Sequence, residues 1–402
     1  MTWPLKAGRF IFYNKKMNFV FLSPSFPPNY YHFCANLKKE GVAVLGVGES
    51  PLHELRPELR DSLAWYYQVE NLHDYGQLAE ALRFFTERFG KIDRIDSLNE
   101  YWLETEAKLR SEFGIPGVQA EEVAEIRHKS LMKKVFAKTG IPHARGLVAA
   151  DAAEAHKFIS HVKFPVIVKP DDGMGAEHTY RLESPEDVDS FFAGKPDRSF
   201  IIEEFIQGDI VTFDGLAGPD GKIIFCTSHV YGEGVMESVL ADSHIYYYSH
   251  RQIPADVEDA GRKLVKGFRV RERFFHLEFF RRKDGTLCAL EVNIRPPGGM
   301  TLDMFNYACD IDMYGTWAKM MARGETRLEY ERKYHCAHIS RKNRLNYRRT
   351  HEEILARFGD LVVHNESLPP MLARAMGDYV YIVRSGHASV IKDAVEFIQE
   401  QA

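Results

Sequence analysis

Glu278 and Glu291 are the pair whose type and spacing most suggest chemistry. They lie in His276–Gly299, HLEFFRRKDGTLCALEVNIRPPGG, where two alternating apolar runs, His276–Phe280 and Leu287–Asn293, flank Asp284-Gly285. An Asp-Gly dipeptide there is a strong hairpin signal, because both central residues must accept positive φ. Counting outward from that turn predicts Lys283 opposite Thr286, Phe280 opposite Ala289, Glu278 opposite Glu291 and His276 opposite Asn293. Side chains alternate along a strand, so Leu277, Phe279, Leu290 and Val292 share the core face. The other face sets two carboxylates about 4.5–5.5 Å apart at Cβ, where like charges repel. A cation between them turns repulsion into binding. Asn293 adds a neutral oxygen on that face. Mg²⁺ takes oxygen ligands from one or two carboxylates plus substrate phosphates. A solvated hairpin face with one raised carboxylate pKa suits the same spacing.

Three other stretches could bear on a phosphate. Lys129 sits in a helical pattern and by itself reads as a solvated charge. Lys169 ends the apolar run Val166-Ile167-Val168 and leads into Pro170-Asp171-Asp172-Gly173-Met174-Gly175. Glycines let backbone N–H groups approach an anion, and lysine supplies a point charge. The same residues also suit a lysine snorkelling past a strand end beside an ordinary turn. The loop does not match the P-loop pattern GxxxxGK[ST]. Ile201–Asp209, IIEEFIQGD, joins a strand to an acidic pair, and it also reads as an edge-strand bulge.

The elements that must position these residues follow from periodicity. Strands at Asn18–Leu22, Val42–Val47, Tyr66–Val69 and Ile92–Ser97 alternate with helices at Tyr30–Glu40, Tyr75–Phe89 and Glu104–Phe113. That order predicts a parallel sheet with crossover helices. One helix is expected over Ala120–Thr139, then strands at Pro165–Lys169, Phe200–Phe205, Ile210–Leu216 and Ile223–Val230. Helices are expected at Ala255–Phe268 and Met304–Arg323, and a small α+β tail closes the chain.

The chain has 402 residues, 45% of them apolar and 27% charged, with a net charge of -5. That composition is ordinary for a globular protein and leaves no footprint for nucleic acid or an anionic membrane. No apolar run is long enough to span a bilayer. Five scattered cysteines without a CxxC pair read as reduced thiols of a cytoplasmic protein. Residues 1–16 read as an extension before a domain that starts near Met17.

Taken together, Lys129, Lys169, Glu203-Glu204 and the hairpin, with Glu291-x-Asn293-x-Arg295 thirteen residues after Glu278, resemble the ATP-grasp superfamily of carboxylate–amine ligases. The resemblance spans Ala120–Met321. It implies an α/β and α+β ATP-grasp fold in four segments. These are an extension (1–16), an N-terminal α/β domain (17–119), a two-lobed ATP-grasp domain (120–325) and a C-terminal α+β module (326–402). It implies ATP and Mg²⁺ (or Mn²⁺) as cofactors. Lys129 and Lys169 would hold phosphates, with Gly173 and Gly175 in a lid loop over them. Glu203 would meet the adenine amino group, with hinge backbone at Glu204 and Ile206. Asp209 resembles the ribose acid, although the usual G-x-E is here Gly208-Asp209, which brings Asp214 forward as a substitute. Glu278, Glu291 and Asn293 would hold the metal, and Arg295 would steady the transferring phosphoryl group. The implied reaction joins a small amino-acid-like carboxylate to an amine through an acyl phosphate. A biotin-carboxylase-like enzyme, a purine-precursor ligase and a non-catalytic ATP-binding protein are the alternatives. Implied partners are small molecules, with a homodimer as the candidate assembly. Gly232–Glu237, His250-Arg251, Ser23–Pro28 and His276 are candidate substrate or supporting residues.

Overall fold

The computed structural model describes residues 17–173, 178–232 and 242–402. The expected extension, Gly175 and most of Gly232–Glu237 lie outside them. The chain forms two compact units. The first comprises residues 17–97 and 109–116. Its strands β1 (Asn18–Leu22), β2 (Ala43–Gly48), β3 (Trp65–Gln68) and β4 (Arg94–Asp96) form a parallel sheet in the order β3-β2-β1-β4. All five residues of β1 are buried, as a strand covered on both faces must be. The helix Tyr75–Phe89 starts where the Asp74 carboxylate accepts from the backbone N–H groups of Gly76 and Gln77.

The second unit comprises residues 98–108 and 117–402 and holds two sheets. The smaller contains β5 (Gly146–Val148), β6 (Val166–Pro170), β7 (Tyr180–Leu182) and β8 (Phe200–Glu204) in the antiparallel order β5-β8-β6-β7. The helices Ala152–Val162 and Pro185–Gly194 supply Ala155, Ile159 and Val188 to its core. The larger sheet contains β9 (Asp209–Ala217), β10 (Ile223–Thr227), β11 (His229–Tyr231), β12 (Tyr246–Ser249), β13 (Arg273–Arg281), β14 (Leu287–Asn293), β15 (His335–Arg341), β16 (Val362–Ser367) and β17 (Tyr379–Ser385). Its order is β14-β13-β9-β11-β12-β15-β17-β16, with β10 on β9. The three last strands of the chain therefore extend this sheet through β12 rather than forming a sheet of their own. No helix among the described residues is long and apolar enough to cross a membrane.

Two expected helices are each divided. His128 is extended (φ -89, ψ 119), so Val123–Arg127 stops and Lys129 opens a new helix, Lys129–Thr139. Asp310 takes a left-handed φ of 54 and Asp312 caps the next start, so Met304–Arg323 becomes Thr301–Cys309 and Met313–Arg323.

The hairpin register is correct at its far end for a reason that counting misses. Of the two turn residues only Gly285 takes a positive φ, +83. The turn spans three residues, with Arg282 N donating to Thr286 O and Gly285 N to Arg282 O. Near the turn Phe280 therefore faces Cys288 and Phe279 faces Ala289. A β-bulge between Glu278 and Phe279 restores the count, so Glu278 faces Glu291 and His276 faces Asn293. The bulge also swaps Leu290 out of the core for Leu287 and Ala289.

The helix Ala255–Gly267 packs on β9 at Gly261. A Cβ there would lie 2.1 Å from the Phe213 ring, which is buried and stacked on Phe275. Gly261→Ala should therefore destabilise the unit by about 1–3 kcal/mol through overpacking. Helix propensity alone favours alanine by about 1 kcal/mol. A higher urea midpoint in the variant would contradict this packing account.

Candidate active site

Three adjacent strands build one polar face. Pairing across β9, β13 and β14 sets Thr212, Glu278 and Glu291 in one row and Asp214, His276 and Asn293 in the next. Asp214 and Asn293 are buried. His276 Nδ1 donates to Asp214 Oδ1 at 2.6 Å, and its Nε2 to Glu278 Oε1 at 2.9 Å. His229 Nδ1 lies 2.7 Å from Asp214 Oδ2, and the Thr212 hydroxyl also donates to that oxygen. A ring that donates from both nitrogens to carboxylates is an imidazolium. Burial pushes the His276 pKa down, but Asp214 and Glu278 outweigh it and raise it to about 10. Burial likewise opposes ionisation of Asp214, yet His276 and His229 hold it down at about 2. Glu278 is lowered too: its burial is overcome by the His276 hydrogen bond and charge.

The lysines reach the second carboxylate and the small sheet. Asp171, just past β6, caps the new helix: its carbonyl accepts from Lys129 N, and its carboxylate from Ser130 N and the Ser130 hydroxyl. This cap sets Lys129, whose Nζ is 3.0 Å from Glu291 Oε1 and donates to Gly173 O at 2.5 Å. Lys169, at the end of β6, lies 2.8 Å from Glu203 Oε2. Lys133, one turn beyond Lys129, lies 2.6 Å from Glu203 Oε1. Burial would raise the Glu203 pKa, but Lys169 and then Lys133 hold it at about 2. Burial also works against charge on Lys169, and Glu203 and Glu291 overcome it, leaving the pKa above the ordinary lysine value. Arg295 Nε donates to Glu100 Oε2 at 3.2 Å. Burial raises the pKa of Glu100 despite Arg295 beside it.

The structure thus sets Glu278, Glu291 and Asn293 in adjacent rows, joins Lys129 to Glu291 and Gly173 and Lys169 to Glu203, and leaves Arg295 acting on Glu278 through its charge. Glu204 instead pairs with Arg145 at 2.6 Å, and Ile206 lies half-buried in the β8–β9 connection. Asp209 departs from expectation. It starts β9 in register with Arg281 and shares the Val211 face, opposite to that of Thr212 and Glu278. Asp214, the expected substitute, is fully buried with both oxygens engaged. Counting along single strands missed Thr212, His229 and Glu100, whose partners are remote in sequence. Lys133 did carry a signal: it is four residues from Lys129, on the same helix face.

Breaking a buried ion pair by removing one partner costs about 3–5 kcal/mol. Glu203→Gln should lose that much at pH 7, leaving Lys133 and Lys169 unpaired. The folded pKa of about 2 lies below the ordinary 4.5, so the wild-type advantage is complete above about 4.5 and fades as pH falls toward about 2. Urea unfolding of both proteins between pH 7 and pH 3 checks it. A stability difference that stayed constant across this range would contradict the assignment.

Residues 162–303 match the ATP-grasp domain family. The chain is 27% identical over 257 residues to the L-arginine-specific L-amino acid ligase of Bacillus subtilis, covering 62% of this chain and 62% of that protein. It therefore spans under two thirds of that curated relative's length. Among solved structures, an L-amino acid ligase from Bacillus licheniformis superposes with a TM-score of 0.73 at 14% identity, covering 96% of this chain and 97% of that one. The biotin carboxylase domain of the Hydrogenobacter thermophilus 2-oxoglutarate carboxylase, solved with MgADP and bicarbonate, gives 0.69 at 15% identity over 94% and 89%. The family match places an ATP-grasp domain at residues 162–303, and the solved structures share the fold along nearly all of the chain.

Proposed function

We propose that this chain is an ATP-dependent ligase that joins a small amino-acid-like carboxylate to an amine through an acyl phosphate, releasing ADP and phosphate. The observation that carries this reading is the pairing of Glu278 with Glu291 beside Asn293, ringed by Lys129, Lys169 and Arg295. The Bacillus subtilis relative is named as an L-amino acid ligase, which supports the substrate class.

The donor set fits a hard divalent ion. Glu278 gives Oε1 to His276, and Glu291 Oε1 meets the Lys129 ammonium. Two carboxylates and an amide oxygen are oxygen donors of the kind Mg²⁺ or Mn²⁺ takes, with nucleotide phosphates completing the shell. No group of three or more His, Cys, Asp or Glu among the described residues could hold a metal without such help. The solved MgADP complex of a structural neighbour supports the same cofactors here.

Charge then sets each role. A carboxylate attacking the γ-phosphoryl group of ATP brings two anions together, and Mg²⁺ held by Glu278, Glu291 and Asn293 would supply offsetting positive charge. Lys129 and Lys169 exchange their carboxylate partners for phosphate oxygens. Arg295, steadied by Glu100, faces the transferring phosphoryl group. His276 holds one oxygen of Glu278 and leaves the other for the metal, the arrangement that outer hydrogen bonds give metal ligands. Glu203, kept ionised, accepts from the adenine amino group. The free, buried cysteines suit a reducing compartment, and we assign the chain to the cytoplasm.

Glu291→Gln should lower Mg²⁺-dependent ADP release by roughly 100-fold or more, the scale of losing one charge-stabilising contact in the transition state. The test is a coupled ADP assay over paired amino acids, with circular dichroism to verify folding. Release within about twofold of wild type would reject the metal role of Glu291.

A further inference from the structure

A polar cavity, of about 640 Å³, opens where the end of β12 meets the segment leading into β15. His250, Arg251, Gln252, Tyr330, Arg332 and His335 line it. Arg251 and Arg332 are half-buried and brace each other through the main chain. Arg251 Nε donates to Arg332 O at 3.2 Å, and Arg332 Nε to Arg251 O at 3.0 Å. Their other contacts are also neutral: Arg251 Nη1 donates to Gly386 O at 3.0 Å and Arg332 Nη1 to Cys226 O at 3.1 Å. These bonds fix both guanidiniums without cancelling either charge. Each guanidinium has five N–H donors, more than these contacts use.

Among the described residues that line the cavity, the one carboxylate is that of Glu331. Glu331 lines the rim and is exposed, while nearby Asp256 and Glu258 are engaged by Arg281 and Arg262. His335 spends Nδ1 on Ser249 O. Burial, and then Arg251 and His387, push the His335 pKa down. Burial, with His229, His335 and Arg281, holds His250 at about 4. The fixed positive charges of the lining are therefore the Arg251 and Arg332 guanidiniums.

We propose that this cavity is an anion site for a small phosphate monoester, clamped between Arg251 and Arg332. Two fixed guanidiniums match a group that carries about -1.5 to -2 at neutral pH and accepts paired N–H bonds. The volume leaves room for the ester's organic part beside Gln252 and Tyr330. The site is separate from the paired glutamates, since β12 is three strands from β13, roughly 14 Å at sheet spacing. It does not depend on the ligase reading.

The test uses the full chain saturated with MgADP, so that the nucleotide site is filled, and glycerol 3-phosphate as the probe in calorimetry. Saturable binding is expected. R251Q and R332Q should each weaken it roughly tenfold or more, the scale of a lost charge-assisted hydrogen bond, with MgADP affinity unchanged. Where a glutamine variant fails to fold, tungstate soaked into MgADP crystals of the wild type reads the same site, with an anomalous peak expected between the two guanidiniums. No saturable binding, affinities within about twofold of wild type in both variants, or tungstate density confined to the nucleotide site would overturn the proposal. Succinate binding as tightly as glycerol 3-phosphate would overturn the phosphate assignment.

Discussion

Two carboxylates held opposite each other across an antiparallel ribbon repel, and the fold around Glu278 and Glu291 is arranged to withstand that repulsion. The two acids receive different counter-charges. Glu278 faces the His276 imidazolium and Glu291 faces the Lys129 ammonium. The two partners differ in freedom. Lys129 is a flexible chain that can trade a carboxylate for a phosphate, whereas His276 is fixed from behind by Asp214. The arrangement holds Glu278 below the ordinary carboxylate range and sets an ammonium against Glu291, so that neither acid stands without a counter-charge.

The supports of these counter-charges reach across the second unit. Asp214 needs β9 beside β13, and β11 beside β9, to gather Thr212, His229 and His276 around one carboxylate. Asp171 ties the start of the Lys129 helix to the end of β6, the strand that also carries Lys169. Asp171 thereby links the helix that carries Lys129 to the strand that carries Lys169, which pairs with β8 at Ile201. The Glu203 carboxylate between Lys133 and Lys169 continues the alternation of charge into the small sheet. Burial makes each link costly to break, so the network specifies positions as well as stability.

Much of this was readable from residue order, and the exceptions have physical causes. β1 could be bounded from its apolar run, and the hairpin from Asp284-Gly285. The opposition of Glu278 to Glu291 was legible although the path to it was not: a longer turn and a bulge shift the count in opposite directions and cancel. Local periodicity cannot show a break made by a remote partner, and Asp171 is what stops one helix at His128 and starts the next. β16 escaped notice because Val362–Ser367 is a half-exposed strand at the sheet's end, with neither an apolar run nor clean alternation. The face of Asp209 depends on its register with Arg281, which only the assembled sheet reveals.

The most direct measurement is a crystal structure of the protein with MgADP. The account predicts a divalent ion bound by carboxylate oxygens of both Glu278 and Glu291, with Asn293 beside it and the diphosphate reaching Lys129 and Lys169. A nucleotide seated away from the β13–β14 ribbon, or an ion that touches neither glutamate, would contradict it.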